Sequence, residues 1–159
     1  MRIAVFSDTH GNVIMMEKIL KSIGPVDFFI HAGDFYRDAV KVSQQHPINM
    51  EAVVGNCDYP RVEPQELTLH LEGITIYLLH GHQLDPGDFY NSLIQKGKEA
   101  EADLVVFGHT HLASRFERDE IIFFNPGSIS SPRMGNSPTY GIIEIGNGEI
   151  NVETREVPR

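Results

Sequence analysis

The stretch Phe6-Ser7-Asp8-Thr9-His10-Gly11-Asn12, entered from the apolar run Ile3-Ala4-Val5-Phe6, decides how this chain is read. A strand-length apolar run that opens directly onto Asp8 and His10 predicts a strand whose carboxyl end carries polar side chains. In an open α/β sheet that edge is where ligands bind. Two residues apart in extended backbone, the two side chains leave the same face and can converge on one ion. Alone, such a pair is weak. Its weight comes from the rest of the chain, where matching donors stand at the ends of further apolar runs.

Working outward, Ile14, Met15, Ile19, Leu20 and Ile23 recur at helical spacing from a start at Gly11 or Asn12 until Gly24-Pro25 stops the helix. Residues 26–30 predict the next strand, which ends in His31-Ala32-Gly33-Asp34. A right-handed βαβ crossover then places Asp34 beside Asp8. A second helix is expected over 38–45, stopped before Pro47. A third strand over 50–54 opens onto Gly55-Asn56-Cys57-Asp58-Tyr59-Pro60. Residues 67–71 and 74–79, either side of Glu72-Gly73, predict an antiparallel hairpin running into His80-Gly81-His82. Residues 89–102 have a helical pattern, and 104–107 read as a buried strand followed by Gly108-His109-Thr110-His111. Beyond them come only strands and turns, at 113–117, 121–124, 140–145 and 150–154. Helices between strands first and hairpins afterwards predict mixed sheets. Residues 156–159 read as a loose tail.

The 159 residues suit a single domain spanning 1–159, with 41% hydrophobic content to supply a core. A net charge of -9 speaks against an extended nucleic-acid surface, because such affinity depends on Lys and Arg neutralising phosphates. The one cysteine, Cys57, cannot close an internal disulfide, and neither a signal segment nor a membrane span is legible. The expectation is a soluble cytoplasmic protein. Exposed strands in the C-terminal region would leave room for a homo-oligomer.

Five apolar runs thus end in Asp8 and His10, Asp34, Asn56, His80, and His109 with His111. All are oxygen or imidazole donors and none is a thiolate, which suits Mn, Fe, Co, Ni or Zn. They are too many for one tetrahedral ion and enough for two, and a carboxylate can bridge ions roughly 3.5–4 Å apart. Two dications against two aspartates leave a local charge of roughly +2, which draws a phosphate ester into an acidic protein. A metal-bound water with a pKa near ~7 then supplies a nucleophile without Ser, Cys or His.

In order, Ser7-Asp8-Thr9-His10-Gly11, Gly33-Asp34, Gly55-Asn56-Cys57-Asp58, His80-Gly81-His82 and Gly108-His109-Thr110-His111 resemble the motif set of calcineurin-like metallophosphoesterases. Asn125-Pro126-Gly127-Ser128 is similar to a segment of the small single-domain prokaryotic phosphodiesterases in that superfamily, the YfcE-like group. The resemblance spans nearly the whole chain. It implies a four-layer α/β/β/α sandwich of two mixed sheets flanked by helices. It further implies a metal-dependent phosphoesterase, in the first place a phosphodiesterase. The reaction would be in-line attack on a small phosphate ester by a hydroxide bridging two divalent ions, manganese first, with nickel, cobalt, iron or zinc as alternatives. By motif position, Asp8, His10 and His111 hold one ion, Asn56, His80 and His109 the other, and Asp34 is shared. Asp34 and Asn56 thereby count as catalytic, together with His82.

A phosphomonoesterase of the same mechanism is one alternative. Another is a non-catalytic scaffold, like the retromer subunit that resembles this fold, although a completely filled donor set favours catalysis. One position departs from the pattern. Many members carry a histidine after the asparagine of the third motif, where this chain has Cys57, a weak hydrogen-bonder. Contact with the leaving alcohol then falls to His82 or Cys57. Asp58 is expected to orient a neighbouring ligand from behind, and Arg133 is a candidate to clamp a phosphate bidentately. His31 reads as a satisfied histidine at a sheet end.

Overall fold

The computed structural model describes residues 1–60 and 63–158. Its central strand is β1 (Arg2–Phe6), which pairs in parallel with β2 (Phe28–His31), Ile3 opposite Phe28 and Phe6 opposite His31. Between them runs α1 (Val13–Ser22), and after β2 come α2 (Tyr36–Gln45) and β3 (Asn49–Ala52), parallel to β2. A hairpin of β4 (Glu66–Leu71) and β5 (Ile74–Leu79) starts the second sheet, followed by α3 (Phe89–Glu99) and β6 (Leu104–Val106). The last two hairpins then part company. β7 (Ser114–Arg118) and β8 (Ile121–Asn125) join the second sheet, whereas β9 (Thr139–Gly146) and β10 (Glu149–Glu156) return to the first. The strand orders are β10-β9-β1-β2-β3 and β4-β5-β6-β8-β7.

The layering follows from the period of two along each strand. In β1, Ala4 and Phe6 turn toward α1 and α2, meeting Met16, Ile19, Ala39 and Val42. Ile3 and Val5 turn the other way and meet Ile76, Leu78, Val106 and Phe124 of the second sheet. On that sheet's far face, Tyr77, Leu79, Val105 and Phe123 receive Leu93 of α3. Strands buried on both faces read as continuous apolar runs, which is why 3–6 and 104–107 showed no alternation. The result is the expected four-layer α/β/β/α sandwich of two mixed sheets. Among the described residues, no helix is long and apolar enough to cross a membrane.

Boundaries differ in instructive places. α1 buries Val13, Met16 and Ile19, while Ile14 is 68% exposed, so the apolar stripe is set one residue from the expected phase. The sequence around 13–16 is apolar throughout and satisfies both phases. α3 stops at Glu99 rather than at 102, because Glu101 adopts φ +49. There Glu101 N–H donates to Lys98 O and Ala102 N–H to Gly97 O, a helix-ending motif that usually advertises itself with glycine. α2 begins two residues early, at Tyr36. Of the tail read as loose, Glu156 closes β10 and Arg159 lies outside the described residues.

Phe124 is fully buried between the sheets. Phe124→Ala is expected to lower unfolding free energy by about 3–5 kcal/mol in urea denaturation, whereas Ile14→Ser should stay within about 0.5 kcal/mol.

Candidate metal centre

The loops that leave β1, β2, β3, β5 and β6 all emerge at one edge of the sandwich, and hydrogen bonds knit them across the gap between the sheets. Asp8 N–H donates to Gly33 O at 3.0 Å and Gly108 N–H to His80 O at 3.1 Å, each within one sheet. Between the sheets, His80 Nδ1 donates to Ala32 O at 2.7 Å and His109 N–H to Asp8 Oδ2 at 3.1 Å. Close approach at this seam restricts what can stand there. A Cβ on Gly33 would lie 2.6 Å from His80 Nδ1, and one on Gly108 would collide with Ser7 Oγ.

Asp8 and His10 do converge, but not as extended backbone predicts. β1 ends at Phe6, and both residues adopt left-handed conformations, φ +52 and +46. His109 and His111 repeat the pattern at φ +67 and +58, and Asp34 stands at φ +58. Each such non-glycine residue costs on the order of 1–3 kcal/mol and persists only where its surroundings dictate it. In both three-residue loops the middle threonine turns away from the site and is anchored. Thr9 Oγ1 donates to Asp38 Oδ2 at 2.7 Å, and Thr110 Oγ1 accepts from Asn125 Nδ2 at 3.1 Å. Tying the middle residue inward leaves the flanking pair to face outward together.

The donors form two adjoining groups. Asp8, His10, Asp34 and His111 each offer one atom, all within 4.8 Å of one another. His10 Nε2 stands 3.4 Å from His111 Nε2, which is 3.1 Å from Asp8 Oδ1. Beside them, Asn56 Oδ1 lies 3.2 Å from His80 Nε2 and 3.1 Å from His109 Nδ1. Asp34 reaches both groups, its Oδ1 3.4 Å from His80 Nε2. All seven predicted donors are therefore gathered at one point.

Hydrogen bonding fixes how two imidazoles present themselves. His80 Nδ1 and His111 Nδ1 each meet a backbone carbonyl at 2.7 Å, Ala32 O and Ser131 O. A carbonyl only accepts, so each ring carries its proton on Nδ1 and turns Nε2 inward as a lone pair. Asp8 Oδ1 is buried and accepts no hydrogen bond. Lone pairs facing a carboxylate oxygen across 3.1 Å call for positive charge between them. The titration tendencies say the same. Burial opposes ionisation of Asp8 and Asp34, yet neighbouring histidines outweigh it and hold both carboxyls below the usual range. Contact with Asp8 raises His111; burial works against a charged His80, but Asp34 and Asp8 raise it all the same. Burial and the nearby His80 lower His109. The donor set fits divalent cations.

The other predicted residues are placed less uniformly. Asp58 accepts Tyr36 N–H at 2.7 Å and Gly55 N–H at 2.8 Å, so it steadies the backbone flanking Asp34 and Asn56 and touches no donor side chain in these bonds. His82 brings its ring to 5.5 Å from that of His80. Cys57 is exposed and gives its backbone N–H to Asp34 Oδ1 at 2.8 Å. Crowding around its sulfur and the Asp34 carboxylate push the thiol up to about 11. Arg133 is exposed, its N–H on His111 O at 3.4 Å. His31 is buried behind the first loop. Thr9 gives its one hydroxyl proton to Asp38, so His31 Nε2–H must donate to Thr9 Oγ1, and burial pushes this ring down to about 4.

Asp38 and Ser130 had no role assigned from the sequence, and Asn125-Pro126-Gly127-Ser128 was noted as a motif without its contacts. Asp38 accepts Thr9 Oγ1 and Gly11 N–H, clamping the loop that carries Asp8 and His10. Ser128 Oγ and Ser130 Oγ both donate to Asp8 O, at 2.8 and 3.2 Å. Asn125, fully buried, donates to Gly108 O at 2.8 Å. The Asn125-Pro126-Gly127-Ser128 segment therefore braces both loops. The repeated Asp/His-Thr-His pattern was the one available signal for the anchored threonines.

Residues 1–148 match the sequence profile described as the calcineurin-like phosphoesterase superfamily domain. A probable metallophosphoesterase of Mycoplasma pneumoniae is 33% identical over 162 residues, covering 99% of this chain and 98% of that protein. The phosphodiesterase YfcE of Escherichia coli is 30% identical over 169 residues, covering 91% of this chain and 88% of that one. Among solved structures, a predicted phosphoesterase from Streptococcus pneumoniae superposes with a TM-score of 0.79 at 30% identity, covering 98% of this chain and 88% of that one. Profile, relatives and the gathered donors agree, and the chain belongs to the calcineurin-like phosphoesterase superfamily.

Proposed function

We propose that this chain is a phosphodiesterase acting on a small, accessible phosphate ester with two divalent ions, manganese first, and that its 159 residues serve as one domain. The observation that carries this reading is the gathering of seven oxygen and imidazole donors at one edge of the sandwich. Asp8, His10 and His111 are assigned to one ion and Asn56, His80 and His109 to the other. Asp34 is assigned to both, because its carboxylate touches both groups. When bound, such a pair supplies Lewis acidity toward phosphoryl oxygens and acidifies a water for in-line attack at phosphorus.

The protein's own part is positional. Ala32 O and Ser131 O hold His80 and His111 in the tautomer that presents Nε2. Asp38, Ser128 and Ser130 fix the loop of Asp8 and His10. Asn56 and His109 are exposed, so an ester can approach from solvent. Contact with the departing alcohol is assigned to His82, whose ring stands 5.5 Å from that of His80, and Arg133 adds positive charge near His111. The phosphodiesterase name borne by the Escherichia coli relative favours a diester over a monoester. A filled donor set favours catalysis over a scaffold role.

Protein stripped by a chelator and restored separately with Mn, Ni, Co, Zn and Mg is expected to hydrolyse bis(p-nitrophenyl) phosphate with the transition ions. It should hydrolyse p-nitrophenyl phosphate more slowly. The reverse preference would make it a monoesterase, and silence toward both esters with every ion would favour the scaffold. Asp34→Asn is expected to lower metal stoichiometry and turnover together, read by elemental analysis and steady-state kinetics. Asp38→Ala, which removes the clamp without removing a donor, should weaken metal affinity about 10–100-fold in chelator competition.

A further inference from the structure

Phe35 is placed against the rules of its neighbourhood. It directly precedes α2, a position where Ser, Thr, Asp or Asn would cap the helix, and its side chain makes no capping bond. Its backbone is left-handed, φ +70 and ψ 52, immediately after Asp34 at φ +58. Two successive left-handed residues without glycine, one of them bulky, mark a conformation that the surroundings enforce, and such strain gathers at ligand sites. What it achieves is the placement of a large apolar ring at the lip of the metal centre, 37% exposed. The ring meets His10 edge to face, centroids 5.2 Å apart, and a Cβ on Gly11 would lie 4.0 Å from its Cε1.

The opposite side of the centre offers a control. Phe89, the first residue of α3, stacks on His109 at 6.5 Å, but it is tied back to Phe107 and Tyr90 and packs against the core beneath the helix. Among the described residues, the aromatic partner of Phe35 is His10 alone. Both rings pack on a donor histidine, but Phe89 is half-buried among further aromatics, whereas Phe35 stays 37% exposed at the lip.

We propose that Phe35 forms a subsite for a flat apolar substituent of the phosphate ester, an aryl or nucleobase-sized group, which packs on its ring while the phosphoryl group sits among the donors. This inference rests on the phosphoesterase reading and adds the kind of ester that the centre selects.

The test uses non-hydrolysable ligands, so that it does not depend on turnover. Phenylphosphonate and methylphosphonate share a phosphonate head and differ in the ring. Calorimetry on the manganese-loaded protein is expected to show phenylphosphonate binding about fivefold tighter or more, the lower range of aromatic stacking. Phe35→Ala should abolish that preference and leave methylphosphonate affinity and metal content unchanged. Phe35→Tyr should retain the preference, and Phe35→Leu, which keeps an apolar volume without a flat face, should retain only part of it. No phenyl preference in the unaltered protein overturns the proposal. So does a preference that survives Phe35→Ala and Phe35→Leu, or equal weakening of both ligands, which would mean that Phe35 only supports His10. A Phe35-dependent preference in a protein that hydrolyses no ester would keep the subsite and remove the enzymatic reading. Turnover of diesters without any Phe35 dependence would do the opposite.

Discussion

The constraint on which this structure turns is the burial of Asp8. A carboxylate removed from water is costly unless its charge is met, and its two oxygens are treated differently here. Oδ2 accepts from Ser7 Oγ and from the His109 amide, whereas Oδ1 accepts no hydrogen bond and looks toward the lone pairs of His111 and His80. One half of the carboxylate is thus satisfied by protein and the other by whatever cation the site takes up. The raised histidines are the protonic version of the same demand. With a formal charge of -9 the surface as a whole repels an anionic ester, so attraction toward one has to be local, as at such a centre.

The two sheets make the demand architecturally possible. Neither sheet alone holds the donors: Asp8, His10, Asp34 and Asn56 leave the first, and His80, His109 and His111 the second. The apolar seam of Ile3, Val5, Leu78, Val106 and Phe124 sets their spacing. Core packing and chemistry are coupled at Gly33 and Gly108, where an added methyl group would strike a histidine ring or a serine hydroxyl.

Much of this was legible in the chain because the donors interrupt apolar runs, and a strand end is a position that hydropathy locates well. Mixed sheets followed from strands separated first by helices and then by turns, whereas the four-layer stacking came from the resemblance of the motif set. The conformation of the donor loops did not follow. Left-handed backbone is ordinarily announced by glycine, and here aspartate and histidine adopt it under tertiary pressure. The bracing contacts were equally silent, even where the motif holding Ser128 was noted, since Ser128 acts on Asp8 across 120 positions and Asp38 on Thr9 across 29. Serine near a turn and aspartate in a helix are common, and only the folded chain shows what they hold. The phase of α1 failed for a simpler reason: where four successive residues are apolar, periodicity does not choose between faces.

The return of β9 to the side of β1 has a consequence for synthesis. A growing polypeptide can pair β1 with β2 soon after both leave the ribosome, bringing Asp8 and Asp34 together. One flank of β1 nevertheless stays open until residues 139–146 emerge, and the serines that latch the Asp8 carbonyl come only shortly before them. Contacts so distant in sequence form slowly and leave a bare strand edge exposed in the meantime. The ion-holding pocket is therefore completed near the end of translation, and a nascent chain released early would carry the acids without the latch.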